Sequence, residues 1–398
     1  MRVAIVGAGV GGLTLGALLA KAGYGISLFD QFDTPRPVGS GLMIQPVGLA
    51  VMDLIGAGDA ARLQGQRIRR MLGLEARTGQ RVLDVAYAPE GASPERHGLA
   101  IHRAGLHGAL LNAARKEGLA IVTARKIIGT ELQDGQRWIS SQDESYGPFD
   151  LIVDASGARS SLSPLTARPL PYGAIWGTVP WPAGNPMPID QLSQRYRRAD
   201  RMAGILPLGT VPGRDGTHAA VFWSLPIDRL ADWHRDGLDR WKREAITLWP
   251  EMAPFLNGIT DPAQMTPARY SHGSLRHPWA ERIAYIGDAA HRASPQLGQG
   301  ANMALLDALA LARALQHHPL DDALPAYGQM RRWHLRLYQF LSAAFTPQYQ
   351  SGSPILPVLR DWLLAPVSMV PPLPWILSRL VAGKLLPPLA GEVLDIPG

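Results

Sequence analysis

The feature that most constrains this chain lies at its start. An apolar run, Val3-Ala4-Ile5-Val6, leads at once into Gly7-Ala8-Gly9-Val10-Gly11-Gly12 and then into a helix-compatible stretch from Leu13 to Ala22. A buried parallel strand, a tight turn and a helix fit that order. Each glycine has its own duty in such a turn: Gly7 permits the sharp bend, Gly9 lets the backbone approach a pyrophosphate, and Gly12 lets the helix pack on the strand. The helix N-terminus then offers its N–H groups to phosphate oxygens. A second strand, residues 25–29, ends in Asp30, whose carboxylate can bind both hydroxyls of an adenosine ribose and would repel a 2′-phosphate. The site therefore suits FAD or NAD better than NADP, and a glycine turn without a nucleotide is the plainer alternative.

A second glycine motif, Gly287-Asp288-Ala289-Ala290-His291, suits the other end of an FAD molecule. It closes a strand-like run from Arg282, and Ser294 to Asn302 follows it into an apolar helix, Met303 to Leu315. A helix starting near Gly300 would aim its positive end at the N1/O2 edge of a reduced flavin. The reading is an α/β chain: a Rossmann-like FAD-binding domain with an inserted sheet-plus-helix substrate domain and a helical C-terminal region. The expected boundaries are 1–70, 98–165 and 276–345 for the first, 71–97 and 166–275 for the second, and 346–398 for the third. Within them, residues 67–87 contain two strand-like runs around Thr78-Gly79, residues 103–117 have helical spacing, and Ile121 to Leu132 suggests a small hairpin before the strand at 150–153.

At 398 residues, with 46% hydrophobic and 18% charged residues, the chain is long enough for two domains and ordinary in composition. It has no cysteine, which excludes disulfides, thiolate nucleophiles and Cys-ligated metals, and no metal site is expected. The net charge is +6, but the densest basic groups, Arg195 to Arg198 and Arg331-Arg332, are short, so nucleic acid is not an expected partner. Residues 3 to 20 lack charge and follow Arg2, as in a signal peptide, yet their glycines are better explained by the nucleotide turn, and a cytoplasmic protein is expected.

These motifs carry a family likeness. With Asp154-Ala155-Ser156-Gly157-Ala158-Arg159-Ser160 between them, the chain resembles, over roughly residues 1–345, the single-component FAD-dependent monooxygenases of the para-hydroxybenzoate hydroxylase fold, the group A aromatic hydroxylases. The resemblance implies that Asp288 hydrogen-bonds the ribityl chain, that Pro295 lies by the isoalloxazine, and that Gly300, Ala301 and Asn302 present backbone groups to the pyrimidine ring. It places Arg103, and less closely Arg36, near the FAD phosphates and ribityl region. Ser156-Gly157 stands where the family usually has Asp-Gly, and Ser163 where an arginine often follows, so nicotinamide-driven reduction is less securely implied. The implied reaction is reduction of FAD by NAD(P)H, addition of oxygen at flavin C4a and delivery of hydroxyl from the hydroperoxide to an aromatic or related cyclic substrate.

In the middle region, Tyr172, Trp176, His218 and Trp223 are candidate substrate contacts, with His218 and Tyr172 as candidate acid–base groups, and Asp228 to Leu248 forms a tryptophan-bearing helix. The aromatic and apolar content favours a hydrophobic ring compound. No formal charge occurs between Asp361 and Arg379, where prolines break any continuous span. That segment suits helices packed back over the domains, or a face for a membrane surface, lipophilic substrate entry or another subunit. An oligomer is compatible with the last. Alternative functions are an FAD-dependent reductase or dehydrogenase of the same fold, similar to geranylgeranyl reductases, and a non-catalytic flavin-binding partner protein.

Overall fold

A computed structural model describes residues 1–34, 39–89 and 96–396. β1 (Arg2–Val6) alternates its apolar side chains between two cores: Val3 and Ile5 meet the helices, whereas Ala4 and Val6 meet a three-stranded sheet spanning residues 129–149. Burial on both faces explains why the strand is a continuous apolar run. After α1 (Val10–Lys21), β2 (Gly25–Phe29) pairs parallel with β1, Val3 opposite Ile26. β3 (Gly41–Ile44) and β4 (Gly98–His102) pair antiparallel, and α2 (Arg103–Lys116) begins directly after β4. β5 (Leu151–Asp154) completes the other side of β1. The expected hairpin is divided: Ile121–Val122 joins the edge of the parallel sheet beside β2, because Val122 accepts from the Asp30 N–H and Arg125 donates to the Asp30 carbonyl, while the hairpin itself starts at Gly129.

The chain then builds an eight-stranded sheet around β6 (Arg168–Pro180), β7 (Arg201–Val211) and β8 (Arg214–Pro226). The hairpin Arg70–Glu75 and Arg81–Ala86 extends one edge through parallel pairing with Gln191–Arg197. α3 (Leu230–Leu248) is kinked at Gly237, whose φ of 80° no other residue type adopts cheaply. β9 (Met265–Ser274) pairs with β6, and β10 (Ile283–Tyr285) returns to the parallel sheet beside β5. α4 (Gly300–His317), the 30-residue α5 (Leu320–Tyr349) and α6 (Leu373–Val381) close the molecule.

Both faces of the large sheet are covered. Ile175, Val221 and Trp223 pack beneath α3 with Trp233 and Trp241, whereas Leu206, Leu208 and Ala220, with Trp176 against them, face Met43, Ala100 and α6. The second face therefore meets the glycine-motif unit. Among the described residues, no single helix is long and apolar enough to cross a membrane.

Candidate functional site

The nucleotide end is shaped by what its glycines make room for. A Cβ on Gly7, at φ 106°, would lie 2.7 Å from the Ala155 carbonyl oxygen, and one on Gly12 would lie 1.9 Å from that of Gly7. A Cβ on Gly9 would meet nothing within 4 Å. Two of the positions thus serve close packing and the third opens onto free space. α1 begins there with neither a side-chain cap nor an acid in its first turn, leaving its N–H dipoles to attract an anion. Asp30 is held beside the turn by the N–H groups of Ala8 (2.8 Å) and Phe32 (2.9 Å). His107 of α2 donates to the Ala8 carbonyl (3.0 Å), a tie across 99 positions with no local sequence signature.

The second glycine motif provides the other end. Asp288 and Arg103 stay open to water, yet burial pushes the Asp288 carboxyl up and the Arg103 guanidinium down, each partly offset by the other's charge. Groups that water reaches while protein surrounds them line a deep cleft. Gly39, at φ 101°, is required there because a Cβ would come within 3.1 Å of Arg103 Nε, and the Arg103 N–H binds the Ser40 carbonyl at 3.0 Å. Arg36 lies outside the described residues.

Behind Asp288 lies a buried ionic cluster that no local motif announces. Asp307 of α4 accepts from the Gly287 N–H (3.0 Å), His291 Nε2 (2.5 Å) and Arg331 Nε (2.8 Å). Burial alone would raise the Asp307 carboxyl, but His291 and Arg331 together hold it well below the ordinary carboxylate range. His334 accepts from Arg331 through Nδ1 (3.3 Å) and donates to the Gly383 carbonyl through Nε2 (2.9 Å). Burial, reinforced by the Arg331 charge, pushes it down to about 3.

α4 repeats the pattern of α1. It starts without a side-chain cap or an early acid, and a Cβ on Gly300 would meet nothing within 4 Å. The Asn302 side chain is occupied with Gln45 N (2.8 Å) and the carbonyls of Gly298 (3.0 Å) and Met43 (3.3 Å), which docks the helix end on β3 and leaves backbone groups to face the cleft. Pro295 opens the preceding turn. Gln296 Nε2 and Gln299 Oε1, on either side of Gly298, are buried and without partners among the described residues. Uncapped helix ends, open glycines and orphaned amide atoms together fit the phosphates and the polar ring edge of FAD.

The middle motif faces inward. The Ser156 hydroxyl and N–H both bind Asp154 Oδ1 (2.6 and 3.0 Å), Ser160 binds its other oxygen, and the Ser163 hydroxyl donates to the Ala289 carbonyl (2.5 Å). Gly157, at φ 82°, has open space where a Cβ would stand. These serines brace the Gly7 and Asp288 loops against each other.

The structure divides the substrate candidates. On the sheet face toward the cleft, Trp176 stacks on Phe222 at 4.5 Å and donates its indole N–H to Tyr270 Oη at 3.0 Å. Burial pushes the Tyr270 phenol up to about 12, against the pull of Trp176 and of the Arg103 charge. Tyr270 is absent from the sequence candidates because it stands alone in β9, 94 positions from its partner. His218 is buried in β8 with its Nδ1–H on the Gly216 carbonyl (3.1 Å), and burial, reinforced by the Arg214 charge, pushes the nearby His102 down to about 4. Tyr172 and Trp223 line a separate cavity of about 340 Å³ under α3, with Asp200, Arg201, Trp233 and Trp241. Trp223 and Trp176 thus lie on opposite faces of one sheet, one residue out of step across the Ile175–Trp223 pair.

Residues 1–334 match the family described as the FAD binding domain. The chain belongs to that family. This FAD binding domain protein is 26% identical over 363 residues to 3-amino-4-hydroxybenzoate 2-monooxygenase of Streptomyces cremeus, covering 83% of each chain. It is 27% identical to aurachin C monooxygenase/isomerase of Stigmatella aurantiaca over 91% of this chain and 90% of that one. The crystal structure of Klebsiella pneumoniae HpxO with FAD and uric acid superposes with a TM-score of 0.80 over 97% and 96% of the two chains, at 18% identity, a likeness of fold. The architecture is that of the para-hydroxybenzoate hydroxylase fold, and the protein is an FAD-dependent enzyme of the monooxygenase family.

Proposed function

We propose that the enzyme uses NAD(P)H and molecular oxygen to hydroxylate an aromatic or related cyclic, fairly hydrophobic small molecule, held between the α4 N-terminus and the Trp176–Tyr270 face. The observation that carries this reading is the position of Arg103: its N–H binds the Ser40 carbonyl (3.0 Å), and the Ser40 hydroxyl in turn reaches the carbonyl of Gly177, the neighbour of Trp176, at 3.2 Å. Cofactor cradle and aromatic sheet face therefore open on one cleft. Ring compounds named for similar proteins, 3-amino-4-hydroxybenzoate and uric acid, support an aromatic or related cyclic substrate.

Bound FAD supplies the redox chemistry, carrying electrons from the nicotinamide to oxygen. The protein's part is to bind, orient and exclude water. The α1 N–H groups, with Gly7, Gly9 and Gly12 shaping the turn, hold the phosphates, and Asp30 takes the adenosine ribose. Asp288 orients the ribityl hydroxyls while Arg103 balances charge beside it. Gly300, Ala301 and Asn302 would offer backbone N–H groups to the pyrimidine edge and Pro295 would flank the ring, while Ser156 and Gly157 would support the Gly7 turn beside them. Trp176, backed by the buried Phe222 and Leu208, gives the cleft an apolar wall that keeps water from the reacting atoms. Tyr270 is favoured over His218 and Tyr172 for handling a substrate proton, because it is bonded to Trp176 on the sheet face that meets the cleft, whereas Tyr172 lines the separate cavity under α3 and His218 is buried against the Gly216 carbonyl.

The test is the visible spectrum of the purified protein, followed by NADH or NADPH addition over a panel of aromatic compounds. A yellow protein whose flavin is bleached faster by one ring compound, with oxygen then consumed in step with hydroxylated product, meets the proposal. Flavin reduction and turnover that proceed equally without oxygen would assign the enzyme to the reductases instead.

A further inference from the structure

The C-terminal segment carries an apolar surface that the cofactor site does not use. Residues 356–368 and α6 form a bent pair at 103°, and around the bend Ile355 (72% exposed), Val358, Trp362 (73%), Val367, Val370 (57%) and Trp375 (50%) stand in solvent. Soluble surfaces rarely leave so many large apolar side chains together without a partner. The underside is fastened. At the start of a π-helical turn, Arg360 is buried between Tyr196 and Tyr349 and binds Asp361 (2.7 Å) and the carbonyls of Gln348 (2.7 Å) and Arg198 (2.9 Å). The same turn leaves Trp362, Leu363 and Leu364 pointing outward.

Charge identifies the occupant. Of the six cations in residues 323–391, Arg331 and Arg360 are buried in ion pairs with Asp307 and Asp361, which leaves Arg332, Arg336, Arg379 and Lys384 unburied and Asp361, the stretch's one acid, already paired. Arg379 lies 4.8 Å over the Trp375 ring, and on α5 Arg332 and Arg336 flank the 61%-exposed Trp333 at 5.2 and 5.4 Å. The Trp375–Arg379 pair at the end of the uncharged stretch 362–378 suits the headgroup level of an anionic bilayer, and Trp333 with its two arginines adds a second exposed group of the same kind on α5. A second copy of the chain fits less well, since a two-fold contact would bring this cationic rim against itself.

We propose that this face docks on the surface of an anionic lipid bilayer without crossing it, so that α6 stands between the lipid and the cleft. The inner side of α6 already belongs to the cleft: Leu377 and Val381 pack with Met43, Leu208 and Trp176, the Val381 carbonyl accepts from Gln299 (2.9 Å), and Ser378 binds the Tyr87 carbonyl (2.6 Å). A lipophilic ring compound dissolved in the bilayer would then reach the site past one helix, a consequence that rests on the function proposed above.

The experiment is flotation of the FAD-loaded full chain with vesicles of phosphatidylcholine, with and without phosphatidylglycerol, comparing wild type with the variant Trp362→Ser/Val367→Ser/Trp375→Ser. Wild type is expected to float with the anionic vesicles and to be released by high salt, and the variant to bind at least about tenfold more weakly while keeping its flavin spectrum and melting temperature. Wild type that stays with the lipid-free fraction overturns the proposal. So does a wild-type dimer that the variant turns into a monomer, which would make the face a contact between copies. Vesicle binding without hydroxylation of any ring compound would count against the proposed function and leave the docking face standing.

Discussion

At the scale of single residues, the site rests on side chains that are absent. A methyl group at Gly300 enters open space, whereas one at Gly12 runs into the Gly7 carbonyl. Gly300→Ala is therefore expected to fold with unchanged melting temperature but to hold FAD about tenfold more weakly in fluorescence titration, because the methyl stands where the cofactor's ring edge belongs. Gly12→Ala is expected to lose about 2 kcal/mol of stability in urea unfolding together with the cofactor. The opposite result, weak binding only at Gly12, would mean that the α4 end does not face the flavin. Tyr270→Phe leaves the Trp176 indole N–H without its acceptor and should cost about 1 kcal/mol. If Tyr270 handles the substrate proton, the variant also oxidises NAD(P)H with a larger share of oxygen released as peroxide, a ratio that a purely structural tyrosine would not alter.

At the scale of elements, the Asp307 cluster pins α4 and α5 to the Gly287–Ala289 turn that carries Asp288. Asp307→Asn leaves Arg331 buried without its counter-charge and should destabilise the protein by about 3 kcal/mol in urea unfolding. His334, pushed down to about 3, and His102, pushed down to about 4, are neutral in the fold, whereas an unfolded histidine titrates near about 6.5. The unfolded chain therefore takes up protons first as pH falls, so their contribution is complete above about pH 6.5 and is lost progressively toward pH 3–4. Asp307, held low, acts in the same sense at more acid pH, while Asp154 and Asp288, pushed up by burial, act against it. The His334 share is isolated by His334→Gln: the stability gap between wild type and variant should narrow from pH 7 to pH 4. A gap independent of pH would show that His334 is not neutral in the fold.

These elements also mark what a sequence reveals. The Gly7–Gly12 turn is legible because a backbone demand selects glycine at fixed spacing, and the start of α4 is legible because Gly298 and Gly300 stand directly before an apolar helical run. The Asp307–Arg331 pair spans 24 positions and the Trp176–Tyr270 pair 94, so neither leaves a local pattern. Trp223 shows the same limit: strand alternation says that neighbours 222 and 223 face opposite ways, but only the register with β6 says which one meets the cleft.

At the scale of the whole molecule, one chain threads twice between a parallel sheet and a large, mostly antiparallel sheet, and the cleft between them is lined from both. Arg103, Asp288 and the α4 end come from the first unit, Trp176 and Tyr270 from the second, and α6 packs over the sheet face they share. On the function proposed above, cofactor and substrate would meet only in the assembled fold, with oxygen activated where water is excluded. The most direct measurement of that claim is mass spectrometry of the product formed by the FAD-loaded enzyme, NAD(P)H and a responsive ring compound under isotopically labelled oxygen gas. One labelled oxygen atom in each product molecule is the result expected of a monooxygenase. Product carrying oxygen from water, or formed at the same rate with oxygen removed, would contradict the account.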